Sequence, residues 1–312
     1  MPAYTLPKGV FGVGVGTSYV NSGRHSRSQF RGITRRDEHG DSVNSNLTAN
    51  LNIAYGITDD LSLTLFMPYI MGFGFQEMHD GELEDLGNSI GFGDLTSLLQ
   101  YRFYENEESK LQSAFIAGMK FPTGFTGVTS NEGELFEATN QPGSGSWDPL
   151  FGLAVSKTFK NDINLDANFL YRLTTEGAQN TDVGDVANYN VALSYPIHHT
   201  HDNPFSHRHS HDREKGILHK LLPEHILGQY VAWDMIFEVN TIYQSIPEES
   251  GVKIENHGGT TVFLSPGVRM TFNDRVVFNL SVGFPVIEVL DGEQGGSDFR
   301  LFAGLATSFG GS

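Results

Sequence analysis

The feature that most constrains the fold is a regular alternation of apolar and polar residues, which recurs in long runs along the chain. In residues 46–57 every odd position from Leu47 to Ile57 is apolar, whereas most even positions carry Asn or Thr. Because successive side chains of a β-strand point to opposite faces, such a run predicts a strand with one apolar and one polar face. Similar runs occupy residues 61–69, 163–173, 276–286 and 299–309.

A soluble β-sandwich also shows alternation, so the length of the runs and their polar face must decide the fold. The runs span about 10 to 14 residues, whereas soluble strands usually have about 5–6 residues and tilted membrane strands about 9–11. The second face carries Asn, Asp, Thr, Ser and Arg, which suits a water-filled lumen better than a packed core. Aromatic residues lie near the ends of the runs, as the interfacial belts of a membrane protein require: Tyr55, Tyr69, Tyr101, Phe103, Trp147, Phe159, Tyr195, Tyr243 and Phe309. The sequence therefore predicts a transmembrane antiparallel β-barrel.

The alternating runs predict twelve strands, an even number that returns both chain ends to one side of the membrane. The barrel must be closed, because an open edge would leave backbone N–H and C=O groups unpaired in lipid. We therefore expect residues 1–312 to form a single up-and-down barrel domain. The predicted strands are residues 9–21, 44–57, 61–72, 88–104, 110–121, 147–159, 162–174, 186–197, 229–244, 260–272, 275–287 and 297–309.

The lengths of the connections predict the orientation of this barrel. Most even-numbered strands are followed by short turns, such as TDD at 58–60 and KND at 160–162, and the odd-numbered strands by long loops. In outer-membrane barrels the short turns face the periplasm and the long loops face outside. We therefore predict a protein of the bacterial outer membrane, surrounded by its lipid. No signal peptide precedes Met1, so we expect a mature form with an added start residue.

The connection after the eighth predicted strand, residues 198–228, is a long His-rich insertion where a short periplasmic turn is expected. It contains HHTHDNPFSHRHSH, with six histidines in fourteen residues. Neutral imidazoles bind Zn, Ni or Cu, so the insertion could hold a divalent transition metal. The alternative, which we favour, is a solvated low-complexity tract that binds metals weakly and without a fixed geometry. The candidate ligands are His199, His201, His207, His209 and His211. No other cofactor is expected.

Strand parity also places charged side chains on the face that points into the lumen. Opposed charges in a water-filled pore select solutes by charge and size, but they can equally pair and brace the wall. Twelve strands are fewer than the 16–18 of large aqueous channels, so we expect bracing and a narrow passage. Gly12, Gly14, Gly16 and Ser18 of the first strand should leave free space along one wall. The inward charged residues are Asp94, Arg102, Lys120, Asp148, Asp166, Arg172, Asp234, Glu238, Arg269, Arg275 and Arg300.

Composition and motifs exclude several other functions. The chain has no cysteine, which rules out disulfides and thiolate chemistry, and its net charge of −17 gives no basic face for nucleic acid. A barrel lipase needs a serine and a histidine on its surface, yet no predicted strand contains a histidine and no GxSxG motif is present. We therefore do not expect an enzyme. A structural or adhesive barrel remains open as an alternative.

Four segments occur in an order that resembles a known family. They are GFGDLTSLLQYRFY (91–104), AGMKFPTG (117–124), GSGSWDPLFGLAVSKTF (143–159) and NLDANFLYRL (164–173). Together they resemble the outer-membrane, transporter-like family labelled "MetA-pathway of phenol degradation", most clearly between residues 88 and 175. The resemblance implies an outer-membrane channel that passes small, often aromatic or hydrophobic, molecules. The His-rich insertion departs from the family, which leaves a metal-linked outer-membrane protein as the alternative function.

Overall fold

The computed structural model describes residues 1–22, 41–79, 82–160, 162–199, 231–254, 256–273, 275–292 and 294–310. These residues form twelve long antiparallel strands, the fourth of which is interrupted. The strands are β1 (Phe11–Ser22), β2 (Ser45–Thr58), β3 (Leu61–His79), β4a (Glu82–Phe92), β4b (Thr96–Asn106), β5 (Leu111–Lys120), β6 (Asp148–Thr158), β7 (Asn164–Arg172), β8 (Val186–His199), β9 (Val231–Gln244), β10 (Gly259–Phe272), β11 (Val276–Leu290) and β12 (Ser297–Phe309).

The strands form a closed barrel in which neighbours in sequence are neighbours in the sheet. β12 pairs with β1, where Phe309 lies opposite Phe11, and β3 pairs with both segments of the fourth strand. Closure gives every strand a hydrogen-bonded partner on each side, as lipid requires. The predicted twelve-stranded antiparallel barrel is confirmed. In the described part of the chain no helix is both long and apolar enough to cross a membrane.

The apolar rows of the strands lie on the outer surface of the barrel. Phe115 and Phe151, for example, are more than half exposed, whereas the inward Gln100, Ser156 and Ser265 are buried. A continuous apolar surface of this kind is stable against hydrocarbon and not against water. Among the residues predicted to form aromatic belts, seven are exposed on the outside: Tyr101, Phe103, Trp147, Phe159, Tyr195, Tyr243 and Phe309.

The two ends of the barrel differ in the length of their connections. One end, called here the turn end, carries short turns at residues 59–60, 107–110 and 159–163, together with the start of β1 and the end of β12. The opposite end, called the loop end, carries the long loops, including residues 121–147. By the rule used above, the turn end faces the periplasm.

Two element boundaries differ from the prediction at the loop end. Residues 73–87 were expected to be a loop, but β3 continues to His79 and β4a begins at Glu82. Phe75 is buried in this extension, and its ring lies 5.2 Å from that of Phe136 in the loop 121–147. This contact between distant parts of the chain stabilises the hairpin, and a local reading of its Gly-rich sequence cannot reveal it.

The strands that flank the His-rich insertion are also longer than predicted. β8 continues through His199, and β9 begins at Val231, so the insertion spans residues 200–230 instead of 198–228. His198 and His199, like His79, therefore belong to strands, contrary to the expectation that no strand contains a histidine. Both flanking strand ends lie at the turn end, since Ala232 pairs with His199 and with Thr271.

Candidate functional site

The lumen of the barrel holds an N-terminal segment, residues 1–8, that was not predicted to lie there. The backbone N–H of Ala3 donates a hydrogen bond to Ser156 Oγ, and that of Leu6 donates to Ser62 Oγ, both at 2.8 Å. Gln100 Nε2 donates to the carbonyl oxygens of residues 2 and 4, at 3.0 and 2.9 Å. Side chains of the lumen wall thus provide hydrogen-bond partners for backbone groups of the segment. These groups would otherwise be unsatisfied, because an extended segment forms no hydrogen bonds within itself.

The N-terminal segment covers an apolar part of the lumen wall on β3 to β7. Ala3 is completely buried and belongs to a cluster of inward apolar side chains on these strands. We call this cluster the apolar wall; it consists of Phe66, Leu98, Ala114, Ile116, Leu150, Ala154 and Leu170. Burial of these side chains by the segment removes apolar surface from water and so stabilises the segment inside the lumen.

The opposite side of the lumen carries a row of hydrogen-bonded polar side chains. Asn240 Nδ2 donates to Asn190 Oδ1 at 2.9 Å, and Asn190 Nδ2 donates to Asn168 Oδ1 at 3.0 Å. Arg300 extends the row, because it donates to Asn240 Oδ1 and, at 3.1 Å, to Ser265 Oγ. This amide row links β7, β8, β9, β10 and β12, which fixes the shape of the polar wall.

A cavity of about 540 Å³ lies between the amide row and the N-terminal segment. Asp166, Glu238 and Arg269 contribute to its polar lining. Phe302 also lines it and is 41% exposed, although it lies on the inward face of β12. A Cβ atom at Gly16 would lie 3.7 Å from the Phe302 ring. Phe302 therefore fills part of the space that the glycines of the first strand were predicted to leave.

Four of the predicted lumen residues meet at the loop end in a charge cluster of Asp94, Lys120, Asp148 and Arg172. Lys120 Nζ lies 2.5 Å from Asp148 Oδ2 and 3.4 Å from Asp94 Oδ2. The side chains of Asp94, Lys120 and Asp148 are almost fully buried, whereas that of Arg172 is 31% exposed. Buried charges of this kind persist because each has an opposite charge or a hydrogen bond.

The charge cluster also anchors the loop of residues 121–147 over the loop end of the lumen. Asp94 accepts hydrogen bonds from the backbone N–H groups of Gly124 and Ser144 and from the Ser144 hydroxyl, all at 2.8 Å. The fourth strand is interrupted at residues 93–95, and Asp94 in this interruption reaches these groups. A second cavity, of about 280 Å³, lies beneath this loop and is lined in part by Arg172 and Thr139.

The other predicted charged residues lie apart from this cluster. Asp234 and Arg269 form a salt bridge of 2.9 Å across β9 and β10, and Asp166 accepts a hydrogen bond from Ser156. Arg102 lies at the turn end, where it pairs with the exposed Asp60 at 2.8 Å. Arg275 is exposed in a turn and does not point into the lumen, because β11 begins only at Val276. The assignment of the remaining residues to a substrate path stays a prediction.

The predicted metal ligands lie almost wholly outside the described residues. This applies to His201, His207, His209 and His211 and to the side chain of His199. Within the ranges that the structure covers, no group of three or more His, Cys, Asp or Glu side chains could hold a metal ion. The metal hypothesis stays a prediction.

Sequence reasoning missed the residues that hold the N-terminal segment: Ser62, Gln100, Ser156 and Asn168. One signal was present in the alternation itself. Leu98, Ile116 and Leu150 occupy positions on the inward face, where a water-filled lumen predicts polar residues. Apolar side chains at such positions indicate that another part of the chain covers them.

Comparisons with known proteins extend these observations. The model of a family described as MetA-pathway of phenol degradation matches residues 31–206, more than half of the 312 residues, and this range includes the four segments that carried the resemblance. The COG4313 outer membrane channel from Pseudomonas putida F1 has a similar structure, with a TM-score of 0.60 and 12% identity over 98% of each chain. The likeness shows that the two share a fold.

Two further solved structures are more distant. The NanC porin has a TM-score of 0.44 and 8% identity over 95% of this chain and 98% of its own. The CymD monoaromatic hydrocarbon channel has a TM-score of 0.42 and 11% identity over 98% of this chain and 90% of its own. No curated protein sequence matches the chain significantly.

Proposed function

The chain belongs to the family described as MetA-pathway of phenol degradation, and from this premise we propose that it is a bacterial outer-membrane channel for small apolar or aromatic molecules. The observation that carries the proposal is the lining of the lumen. It has a row of polar side chains, and it has apolar surface that is partly exposed and partly buried with the N-terminal segment. No catalytic step is part of the proposal, since carboxylates and cations of the lumen, such as Asp148 with Lys120 and Asp234 with Arg269, pair with one another.

The dimensions of the lumen favour small substrates. Barrels of about 8 strands are filled by their own side chains, and large aqueous channels need about 16–18 strands. With twelve strands, this barrel retains cavities of about 540 and 280 Å³. Ligand pockets for drug-sized molecules have volumes of about 300–1,000 Å³, so the larger cavity can hold a drug-sized molecule and the smaller cavity only a smaller one.

The lining of the lumen favours substrates with apolar surface. Phe302 presents its ring to the larger cavity, and Leu98, Ile116 and Leu150 of the apolar wall are buried in one cluster with Ala3 of the N-terminal segment. When this segment moves away, its place can be taken by an apolar molecule that restores the lost burial. A strictly hydrophilic solute would gain no binding free energy from contact with these apolar surfaces.

The route past the N-terminal segment can be tested with a reversible crosslink, because the chain contains no cysteine of its own. Ala3→Cys and Ser156→Cys place a thiol pair where the Ala3 N–H now contacts the Ser156 hydroxyl at 2.8 Å. We expect oxidation to lock the segment in the lumen. Uptake of a radiolabelled monoaromatic compound by porin-deficient cells that express the barrel should then fall to background.

Addition of a membrane-permeant reductant to the same cells should restore uptake, which makes the reduced protein its own control. Each single-cysteine variant should transport in both redox states. Equal uptake by the oxidised and reduced double variant would refute passage through the lumen, provided that a gel shift confirms the disulfide.

A further inference from the structure

We propose that the larger cavity, of about 540 Å³, is a binding site for neutral sugars of one or two rings. The inference goes beyond the proposed function, because it adds a class of solute that is neither apolar nor aromatic. It rests on an aromatic ring that faces this cavity among polar side chains whose hydrogen-bonding groups are accessible and unused.

The ring of Phe302 packs against glycine on one side and faces the cavity on the other. A Cβ atom at Gly304 would lie 3.3 Å from its Cζ, and one at Gly16 would lie 3.7 Å from its Cε2, so the ring lies close to the backbone of β12 and β1. Phe302 nevertheless remains 41% exposed, and it lines the cavity. The glycines thus leave one surface of the ring free for a bound molecule.

Polar side chains of β11 lie beside this ring. Ser281 is the direct cross-strand neighbour of Phe302, and Asn279 is that of Gly304. Both line the cavity and are partly exposed, and their side chains form no hydrogen bond with another residue that the structure describes. A hydroxyl and an amide together supply donors and acceptors to a molecule that lies on the ring.

Glu238 of β9 brings a carboxylate to the same cavity and is also partly exposed. Arg300 interacts with it through charge, but the guanidinium of Arg300 donates its hydrogen bonds to Asn240 and Ser265. Within the described chain no group donates a hydrogen bond to Glu238. An ionised carboxylate only accepts hydrogen bonds, and it forms strong ones, so hydroxyl groups of a ligand are suitable partners.

A sugar matches both kinds of surface at once. Its hydroxyl groups donate and accept hydrogen bonds, and the C–H groups on the face of its ring pack against the negative face of an aromatic ring. Water alone would leave the Phe302 ring exposed, whereas a purely apolar molecule would desolvate Glu238 and Asn279 without replacing their partners. The volume of the cavity lies within the range of about 300–1,000 Å³ for ligand sites.

The charges around the cavity indicate that the ligand is neutral. Three acidic and three basic groups line the cavity or interact with its lining, so their charges balance. An ionic ligand would add an uncompensated charge to this partly desolvated site, which is unfavourable. The six groups are Asp166, Asp234, Glu238, Arg269, Arg300 and the α-amino group of Met1.

Ligand-observed NMR on the full-length barrel, in a detergent without a sugar head group, tests the inference with glucose, the anion glucuronate and the cation glucosamine. We expect glucose to bind most tightly. Phe302→Leu keeps an apolar side chain but removes the flat ring, so it should weaken glucose about fivefold. Glu238→Gln replaces a charged acceptor by a neutral one and should also weaken glucose about fivefold.

Asn279→Leu and Asn50→Leu form a matched pair of variants. Each replaces an inward asparagine by leucine, but Asn50, which lies opposite Gly16, does not line this cavity. Asn279→Leu should weaken glucose about threefold, whereas Asn50→Leu should leave its affinity unchanged. The pair also tests the inference should the variants at Phe302 and Glu238 fail to fold.

Three results would overturn the inference. The first is an absence of glucose binding to the parent barrel. The second is glucose binding that is equal in the parent barrel and in the folded variants of the cavity. The third is tighter binding of glucosamine or glucuronate than of glucose, which would assign the cavity to an ionic ligand.

The sugar measurement and the uptake measurement have separable outcomes. The cavity is present while the N-terminal segment lies in the lumen, so the oxidised barrel with Ala3→Cys and Ser156→Cys should still bind glucose. Uptake that responds to the crosslink without glucose binding would refute only the sugar site. Glucose binding with uptake that ignores the crosslink would refute passage through the lumen and retain the sugar site.

Discussion

Release of the N-terminal segment from the lumen wall should open the barrel, and two conservative substitutions achieve it. Ser156→Ala and Ser62→Ala remove the hydroxyl oxygens that accept hydrogen bonds from the backbone N–H groups of Ala3 and Leu6. Each substitution deletes one oxygen atom and leaves the backbone pairing of β3 and β6 in place. The Ala3 and Leu6 N–H groups then lack a partner while the segment is inside the lumen, but they meet water once it is released.

The expected magnitude follows from the net contribution of a hydrogen bond. One such bond stabilises the inserted segment by about 1 kcal/mol, so the two together contribute about 2 kcal/mol. Since about 1.4 kcal/mol changes an equilibrium constant tenfold, the ratio of released to inserted segment should rise about 30-fold in the double variant. Ser156 also donates to Asp166, but this bond lies within the wall, so its loss affects both states and largely cancels.

Single-channel recording in a planar lipid bilayer measures this ratio directly. We expect the ratio of time in a higher-conductance state to time in the parent state to increase about 30-fold for the double variant, and deletion of residues 2–8 to make the higher-conductance state permanent. Ser89→Ala is the matched control, because the Ser89 hydroxyl is buried without a hydrogen-bond partner in the described part of the chain and does not contact the segment. Its recordings should equal those of the parent barrel.

Two results would refute this reasoning. Unchanged open time in the double variant would mean that the wall hydroxyls do not hold the segment. Unchanged conductance after deletion of residues 2–8 would mean that the segment does not obstruct the path at all, whatever holds it.

Three further perturbations test other parts of the structure. Lys120→Met leaves Asp148 buried without its nearest cation and should destabilise the barrel by about 3–5 kcal/mol, seen as an earlier thermal transition on heat-mobility gels. Lys110→Gln, which removes the exposed Lys110–Asp162 pair at the turn end, should cost less than about 1 kcal/mol. Gly143→Ala places a Cβ 2.6 Å from the backbone carbonyl carbon of Gly124 in the same loop, so proteases should cleave the loop 121–147 faster than in the parent protein. The hypothesis of a metal-binding insertion predicts that deletion of residues 200–213 removes Zn²⁺ binding in isothermal titration; unchanged binding would end it.

The strands could be predicted because a chain in lipid must satisfy all of its backbone hydrogen bonds and turn apolar side chains to the hydrocarbon. From Leu47 to Ile57 each outward side chain meets hydrocarbon, so the alternation must be maintained for the full width of the membrane. Beyond the membrane this requirement ends, and composition becomes a poorer guide. The extension of β3 to His79 depends on the burial of Phe75 against Phe136, which is a contact between distant segments and leaves no local pattern.

The face of the strand on which each charged residue lies could also be predicted, whereas its ion-pair partner could be predicted only in part. Parity places Lys120 and Asp148 on the inward face of adjacent strands, and the register makes them direct neighbours. The register depends on the long loop between β5 and β6, whose path is fixed by Asp94 through contacts with Gly124 and Ser144. A strand pattern therefore predicts the face of a side chain, whereas the identity of its partner requires the loops.

The N-terminal segment shows how exceptions to a pattern carry information. Residues 1–8 are too few and too irregular to show a periodicity of their own, so no local signal places them in the lumen. The inward Leu98, Ile116 and Leu150 nevertheless conflict with a lumen filled only by water, because each would then expose apolar surface. Their burial in one cluster with Ala3 of the segment resolves the conflict for these three side chains. The segment does not cover Phe302, which remains exposed to the larger cavity. An apolar side chain that faces the lumen and that no part of the described chain covers is the position where a transported molecule gains the most from contact with the wall.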